Sequence, residues 1–278
     1  MKKNKFLFCI GLLLTVATIV NAQSVTWISS TEGNVWQKSK VKLQSKSEQN
    51  PVLQVDGTEN GVAFKNWGTT FNELCWDALG LLTRTEQDEI LYNIFSPQGD
   101  LRITRGRISM GANDYARSWY SCDEVEGDFE LRYFNINRDK QTIIPFIRAA
   151  QKYNPNLTFW ISPWCPPSWM KINGDYPVLS SPFNSLSEKQ NYLLYGATGG
   201  QVDENEMKLT GARDGVFPRQ LATTDFMIQD PRYLQTYADY FCRFIDAYKE
   251  QGIPIDMVMY QNEAYSYTPY PGCAWTFQ

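Results

Sequence analysis

The 278-residue sequence contains no histidine. That absence excludes Ser-His-Asp triads, Cys-His dyads, His-ligated metals and imidazole proton shuttles from this chain. Acid–base work must then fall to carboxylates, Lys, Tyr or Cys. No Cys-x-x-Cys pair occurs either, so thiol clusters at zinc-binding spacing are missing. There is no basic excess: 26 Lys+Arg stand against 30 Asp+Glu, for a formal charge of −4, which argues against a general nucleic-acid binder. Repeats, long charge runs and low-complexity tracts are absent as well. No apolar run reaches the ~20 residues that a membrane-spanning helix needs.

What is present is an ordinary globular composition, 43% apolar and 20% charged, with 14% aromatic residues. Lys2, Lys3 and Lys5 precede a largely apolar run at 6–20 and a small-residue cleavage site at Val20-Asn21-Ala22. The pattern predicts a secretory signal peptide over 1–22 and a secreted or periplasmic location after cleavage near Ala22. Cys75, Cys122, Cys165, Cys242 and Cys273 remain beyond it. Export permits disulfides, but five leaves at least one thiol unpaired, and buried free cysteines are expected.

Short alternating segments around Val25, Trp27, Val41, Leu43, Val52 and Val55 read as strands, broken at Glu32-Gly33-Asn34 and Asp56-Gly57. Beyond them strand and helix patterns alternate. Thr83-Arg84-Thr85-Glu86 is a capping box for a helix with Ile90, Leu91, Ile94 and Phe95 on one face, stopped by Pro97. A strand is expected over 101–110, a helix capped by Asp139 running to about 153, and a buried strand over 157–161. Asp230-Pro231 opens the clearest helix, with Leu234, Tyr237, Ala238, Phe241, Ile245 and Tyr248 as its apolar face and Gly252 at its end. A strand over 255–260 follows. This order predicts an α/β fold with a parallel sheet. Residues 169–230 read as a Ser-, Pro-, Gly- and Asn-rich insertion at a strand's carboxyl end, where α/β folds build their sites.

Candidate chemistry gathers at two such strand ends. Three prolines in Ser162-Pro163-Trp164-Cys165-Pro166-Pro167-Ser168-Trp169 fix an irregular backbone that can hold tryptophans in place. Flat rings with a polar edge suit sugar faces. Trp160 and Trp169 fit core packing equally well, whereas Trp164 between prolines is read as a site residue. Gln261-Asn262-Glu263 sets a carboxylate beside an amide at the next strand end, where side chains enter the site.

Taken together these segments resemble the family 30 glycoside hydrolases, the glucosylceramidase-like retaining glycosidases. Trp67-Gly68-Thr69-Thr70-Phe71-Asn72-Glu73-Leu74 is similar to the family's Gly-Phe-Gly-Gly-x-Phe-Asn-Glu segment, with Thr69 in place of the second paired glycine. Arg107-Ile108-Ser109-Met110-Gly111-Ala112-Asn113-Asp114-Tyr115 is similar to Arg-Ile-Pro-x-Gly-x-x-Asp-Phe. Ser162 to Lys171 is close to Ser-Pro-Trp-Ser-Pro-Pro-Ala-Trp-Met-Lys, and Asn262-Glu263 matches the Asn-Glu signature, with Ala264 where proline usually follows.

The resemblance implies a (β/α)8 TIM barrel, with about the first four strand–helix units over 56–278 and strands of a side β-sandwich domain over 23–55. It makes Glu263 the general acid/base and has Asn262 bind the sugar 2-hydroxyl. Asp114 and Trp164 would hold the non-reducing-end sugar, and Arg107 would brace the carboxylates. It implies a β-glucoside or β-glucan substrate, no metal, no organic cofactor, no nucleic-acid partner and no stable membrane anchor. A retaining mechanism needs a second carboxylate ~5–5.5 Å from the first. The family draws it from strand seven, and no carboxylate here matches that motif; Glu73 and Asp114 lie on early strands and could approach the site. The alternative expectation is a non-catalytic carbohydrate-binding or inactive truncated fragment.

Overall fold

The computed structural model describes residues 24–42, 61, 64–184, 225–264, 266 and 268–275. The predicted signal peptide, the strand candidates at 43 and 52–55, and residues 185–224 of the insertion lie outside the described residues. The chain divides into two compact units, Met1–Ala63 and Phe64–Gln278.

In the first unit, β1 (Ser24–Thr31) and β2 (Asn34–Lys42) form an antiparallel hairpin, with Val25 opposite Val41 and Trp27 opposite Ser39. The break expected at Glu32-Gly33-Asn34 is its turn. Gly33 sits at φ +78, a conformation only glycine adopts without strain. Among the described residues of this unit these two strands form the only sheet.

The second unit is built on four parallel strands, β3 (Gly68–Phe71), β4 (Arg105–Ser109), β5 (Thr158–Ser162) and β6 (Ile255–Val258), lying side by side in chain order. Sequential order belongs to the wall of a βα-barrel; a doubly wound sheet would reverse direction part-way. The connections carry α1 (Glu73–Gly80), α2 (Arg84–Phe95), α3 (Ile143–Gln151) and α4 (Pro231–Glu250).

Strand register sorts the side chains. Phe71 lies opposite Ile108, and Ile108 opposite Ile161; together with Phe159 all four are fully buried. Phe71 meets Phe95 of α2 at 5.7 Å and Phe146 of α3 at 4.7 Å between ring centres. Gly106 shares that face because a Cβ there would come within 2.5 Å of Phe71 and 2.9 Å of Phe159. On the other face, Thr70, Arg107, Trp160 and Met257 align across the four strands.

The helix boundaries follow from their caps. Thr83 and Glu86 close the expected capping box, and α2 ends at Phe95, ahead of Pro97. Asp230 accepts from the Arg232 N–H at the start of α4. The apolar face of α4 differs from the expected one. Tyr233, Tyr237, Tyr240, Phe244 and Tyr248 are buried, whereas Leu234 and Ala238 are exposed. Two of these tyrosines go inward with their hydroxyls partnered: Tyr240 accepts from the Cys122 N–H at 2.9 Å, and Tyr248 donates to Asp139 at 2.6 Å, whereas the Tyr237 hydroxyl is buried with no partner among the described residues.

That second bond also corrects the reading of Asp139 as a helix cap. Its carboxylate is buried and taken by the Tyr120 and Tyr248 hydroxyls, so a short 3-10 turn, Asp139–Gln141, precedes α3 instead. Burial pushes the Asp139 carboxyl up from 3.8 to about 6, outweighing the two phenol donors that favour its ionised form. The folded state therefore holds this proton more tightly than the unfolded chain. The resulting stabilisation is present below about pH 4 and lost as pH rises through about 6. Asp139→Asn is expected to flatten this part of the stability–pH curve. Denaturant unfolding of both proteins between about pH 4 and 7 checks it, and parallel curves would sink the assignment.

Three cysteines, Cys122, Cys165 and Cys273, are buried and free, as expected; Cys75 and Cys242 are free but exposed.

Candidate active site

All five residues singled out in the sequence line one cavity of about 280 Å³: Arg107, Asp114, Trp164, Asn262 and Glu263. They reach it from the carboxyl ends of three strands. Arg107 rises from β4, Asp114 follows it, Trp164 follows β5, and Asn262 and Glu263 follow β6.

Arg107 is the organising side chain. Its Nη2 donates to Ser162 Oγ at 3.1 Å and to Asn262 Oδ1 at 2.8 Å. The guanidinium lies 4.0 Å over the Trp164 ring and 4.9 Å from that of Trp160. Burial draws its pKa down, while the Asp114 and Glu263 carboxylates oppose that shift; an arginine starting so high stays protonated. Its Nε is buried and unpartnered among the described residues. Trp164, only 7% exposed, is a wall that carries Arg107 rather than an open stacking platform. Trp169 belongs to the core, its indole N–H donating to the Asp123 carbonyl at 3.0 Å.

Asn262 is pinned twice, by its N–H to the Pro163 carbonyl at 2.8 Å and by Arg107 at Oδ1. Its amide Nδ2 remains the donor available to a ligand. Glu263 adopts φ +48, a left-handed conformation that costs a non-glycine residue about 1–3 kcal/mol. With alanine at 264, the restriction that a following proline imposes is absent. The turn is held by Ser266 N–H to the Glu263 carbonyl and Trp275 N–H to the Ala264 carbonyl. Gln261 reinforces it, donating to the Trp164 carbonyl at 2.7 Å and accepting from the Trp275 indole at 3.1 Å.

The cavity also contains residues that sequence reasoning did not single out: Thr70, Asn72, Asn113, Tyr115 and Tyr270. Four of them lie inside the quoted motifs, so motif membership was the available signal. Tyr270 had none. Its hydroxyl donates to Glu263 Oε2 at 3.2 Å, and burial first, then the Glu263 carboxylate, pushes the phenol's pKa up, which keeps it a donor. Of the two early carboxylates, Asp114 reaches the cavity and Glu73 does not.

A parallel sheet in barrel order, with a carboxylate, an amide, an arginine and aromatic rings gathered at its carboxyl ends, places these side chains where βα-barrels carry their sites. Residues 64–181 match the glycosyl hydrolase family 30 TIM-barrel domain. The putative glucosylceramidase 4 of Caenorhabditis elegans is 27% identical over 89% of this chain and 40% of its own length. The endo-1,6-beta-D-glucanase neg1 of Aspergillus fumigatus is 26% identical over 81% of this chain and 40% of its own. Among solved structures, an endo-beta1,6-glucanase superposes with a TM-score of 0.59 at 20% identity, over 90% of this chain and 45% of that one. The match to glycosyl hydrolase family 30 thus falls on residues 64–181, and relatives named as glucosylceramidases and endo-1,6-beta-glucanases align over most of the chain. It spans about two fifths of the length of these curated relatives.

Proposed function

We propose that this chain contributes the acid/base half of a secreted retaining β-glycosidase acting on β-glucosides or β-glucans. The observation that carries the reading is the convergence of Arg107, Asp114, Asn262, Glu263 and Tyr270 on one cavity. Glu263 protonates the leaving oxygen in the first step and deprotonates water in the second. Tyr270, bonded to Oε2, leaves Oε1 to face the glycosidic oxygen. Asn262 Nδ2 donates to the sugar 2-hydroxyl, and Asp114 accepts from hydroxyls at the far side of the ring. The second carboxylate comes from a later strand of the same domain and receives the free Arg107 Nε–H. Export through the 1–22 leader accords with a polymer or lipid-borne sugar met outside the cytoplasm. Relatives named for glucosylceramide and for β-1,6-glucan support a glucose-configured substrate.

The test is hydrolysis of 4-nitrophenyl β-glucoside and β-xyloside by the full-length protein and its Asp114→Asn variant. The wild type is expected to favour the glucoside, and the variant to lose about tenfold in kcat/KM on it, the loss of one hydrogen bond to a charged group. Cleavage of neither glycoside overturns the reading in favour of a non-catalytic sugar-binding module.

A further inference from the structure

Glu73 is a deeply buried acid, at 1% exposure, and no role in sugar chemistry falls to it. Its Oε1 accepts from Arg138 Nε at 2.9 Å, and its Oε2 accepts from Arg138 Nη2 at 2.6 Å and from the Arg117 backbone N–H at 2.8 Å. Burial by itself would raise its pKa, but these bonds outweigh it and hold the carboxyl below the ordinary range. Such a group is an anion at neutral pH with its lone pairs committed, which suits neither a proton donor nor a nucleophile.

Arg117 and Arg138, both bonded to Glu73, belong to or grip the loop that bears Asp114. The loop closes at its base, where Ala112 N–H donates to the Tyr120 carbonyl at 2.8 Å. Gly111 is required there: its φ is +81 and a Cβ would lie 2.9 Å from that carbonyl oxygen. Asn113 Oδ1 accepts from the Tyr115 N–H at 2.7 Å, forming the turn that exposes Asp114. The outer limb is tied to the start of α1. Leu74 N–H donates to the Tyr115 carbonyl at 3.2 Å, Arg117 N–H to Glu73, and the Arg117 guanidinium pairs with Asp77. Arg138 completes the clasp by donating to the Ser118 hydroxyl and carbonyl, each at 2.9 Å.

We infer that the Glu73–Arg138 pair is a buckle that positions the Asp114–Tyr115 wall of the sugar pocket, making Glu73 a positioning residue for substrate recognition. The inference rests on the glycosidase reading for its substrate but on loop geometry for its mechanism. Two neighbours at the start of α1, its cap Asn72 and its first residue Glu73, thus divide the work. Asn72 caps the helix through the Cys75 N–H and lines the cavity, while Glu73 lies outside the cavity and holds the Asp114 loop.

The experiment compares wild type, Glu73→Gln and Arg138→Lys in the full-length protein. Hydrogen exchange is followed over 113–118 and over the control helix 143–151, alongside KM and kcat for 4-nitrophenyl β-glucoside. Each variant is expected to speed exchange over 113–118 about tenfold with the control helix unchanged, because only a local opening is eased. KM should rise about fivefold or more with kcat nearly kept, the mark of weakened binding. Unchanged loop exchange overturns the buckle. Raised exchange with unchanged KM overturns its role in recognition, and a collapse of kcat at constant KM would make Glu73 a participant in the chemistry. If the wild type cleaves no glycoside, the proposed function fails, and exchange over 113–118 alone decides the buckle.

Discussion

Glu263→Gln is expected to slow hydrolysis of an alkyl β-glucoside by about 10²–10⁴-fold, the usual contribution of a positioned general acid. The substitution keeps the shape of the side chain and its contact with Tyr270, so the loss reports on the proton and not on folding. Its signature is dependence on the leaving group. A dinitrophenyl glucoside departs without protonation, so its first step should survive while the second, which needs a base to activate water, stalls. A burst of phenol followed by slow turnover is the expected trace. Azide, a nucleophile that needs no deprotonation, should restore turnover. Equal losses on good and poor leaving groups, with no burst and no rescue, would remove Glu263 from the acid/base role.

Lys171→Met is expected to destabilise the protein by about 1–3 kcal/mol, because the Asp175 carbonyl loses its donor while the Tyr176 and Pro177 carbonyls each keep one, from Gly272 N–H and Asn173 Nδ2. The Lys171 side chain is fully buried, and its Nζ donates to the carbonyls of Asp175, Tyr176 and Pro177 at 2.7, 2.8 and 3.1 Å. Methionine fills similar volume, so the loss isolates the bonds rather than a cavity. The consequence should extend to the site. The arm around Tyr176 and Pro177 pairs with the segment carrying Tyr270: Gly272 N–H donates to the Tyr176 carbonyl at 3.0 Å, and Pro177 bridges Pro271. At about 2–4 °C per kcal/mol for a domain of this size, thermal melting should fall by roughly 5 °C. Lys140→Met, at an exposed position, is the control and should shift little. A Lys171→Met variant that melts with the control would show that the carbonyls find other donors.

Local rules were legible wherever the chain satisfies its own needs. The Thr83–Glu86 box and the Asp230-Pro231 start involve groups at most three residues apart, so neighbouring residues alone specify them. Burial of α4 was harder to read. Tyr240 and Tyr248 can go inward because their hydroxyls meet partners, and those partners, Cys122 N–H and Asp139, lie over a hundred residues away. Asp139 was misread for the same reason: an aspartate before a helix is a cap unless something distant claims its oxygens, and here two phenols do. Cys242 is exposed because it falls on the outer side of α4, whose inner side is filled by larger rings.

The lone absence of histidine and the order of four motifs, by themselves, determined the kind of chemistry open to this chain and the carboxylate on which to look for it. Those are properties of residue type and spacing, which no packing can alter. Only the tertiary structure decided which acids share the cavity. Parallel strands whose paired positions lie 37 to over 150 residues apart in the chain bring Thr70, Arg107 and Glu263 to one end of a sheet. A single turn of α1 sends the neighbouring Glu73 to a buried arginine instead. Asp114 and Glu73 look alike in sequence; one faces the pocket and the other fastens it, because an anion buried in protein goes where hydrogen-bond donors already wait.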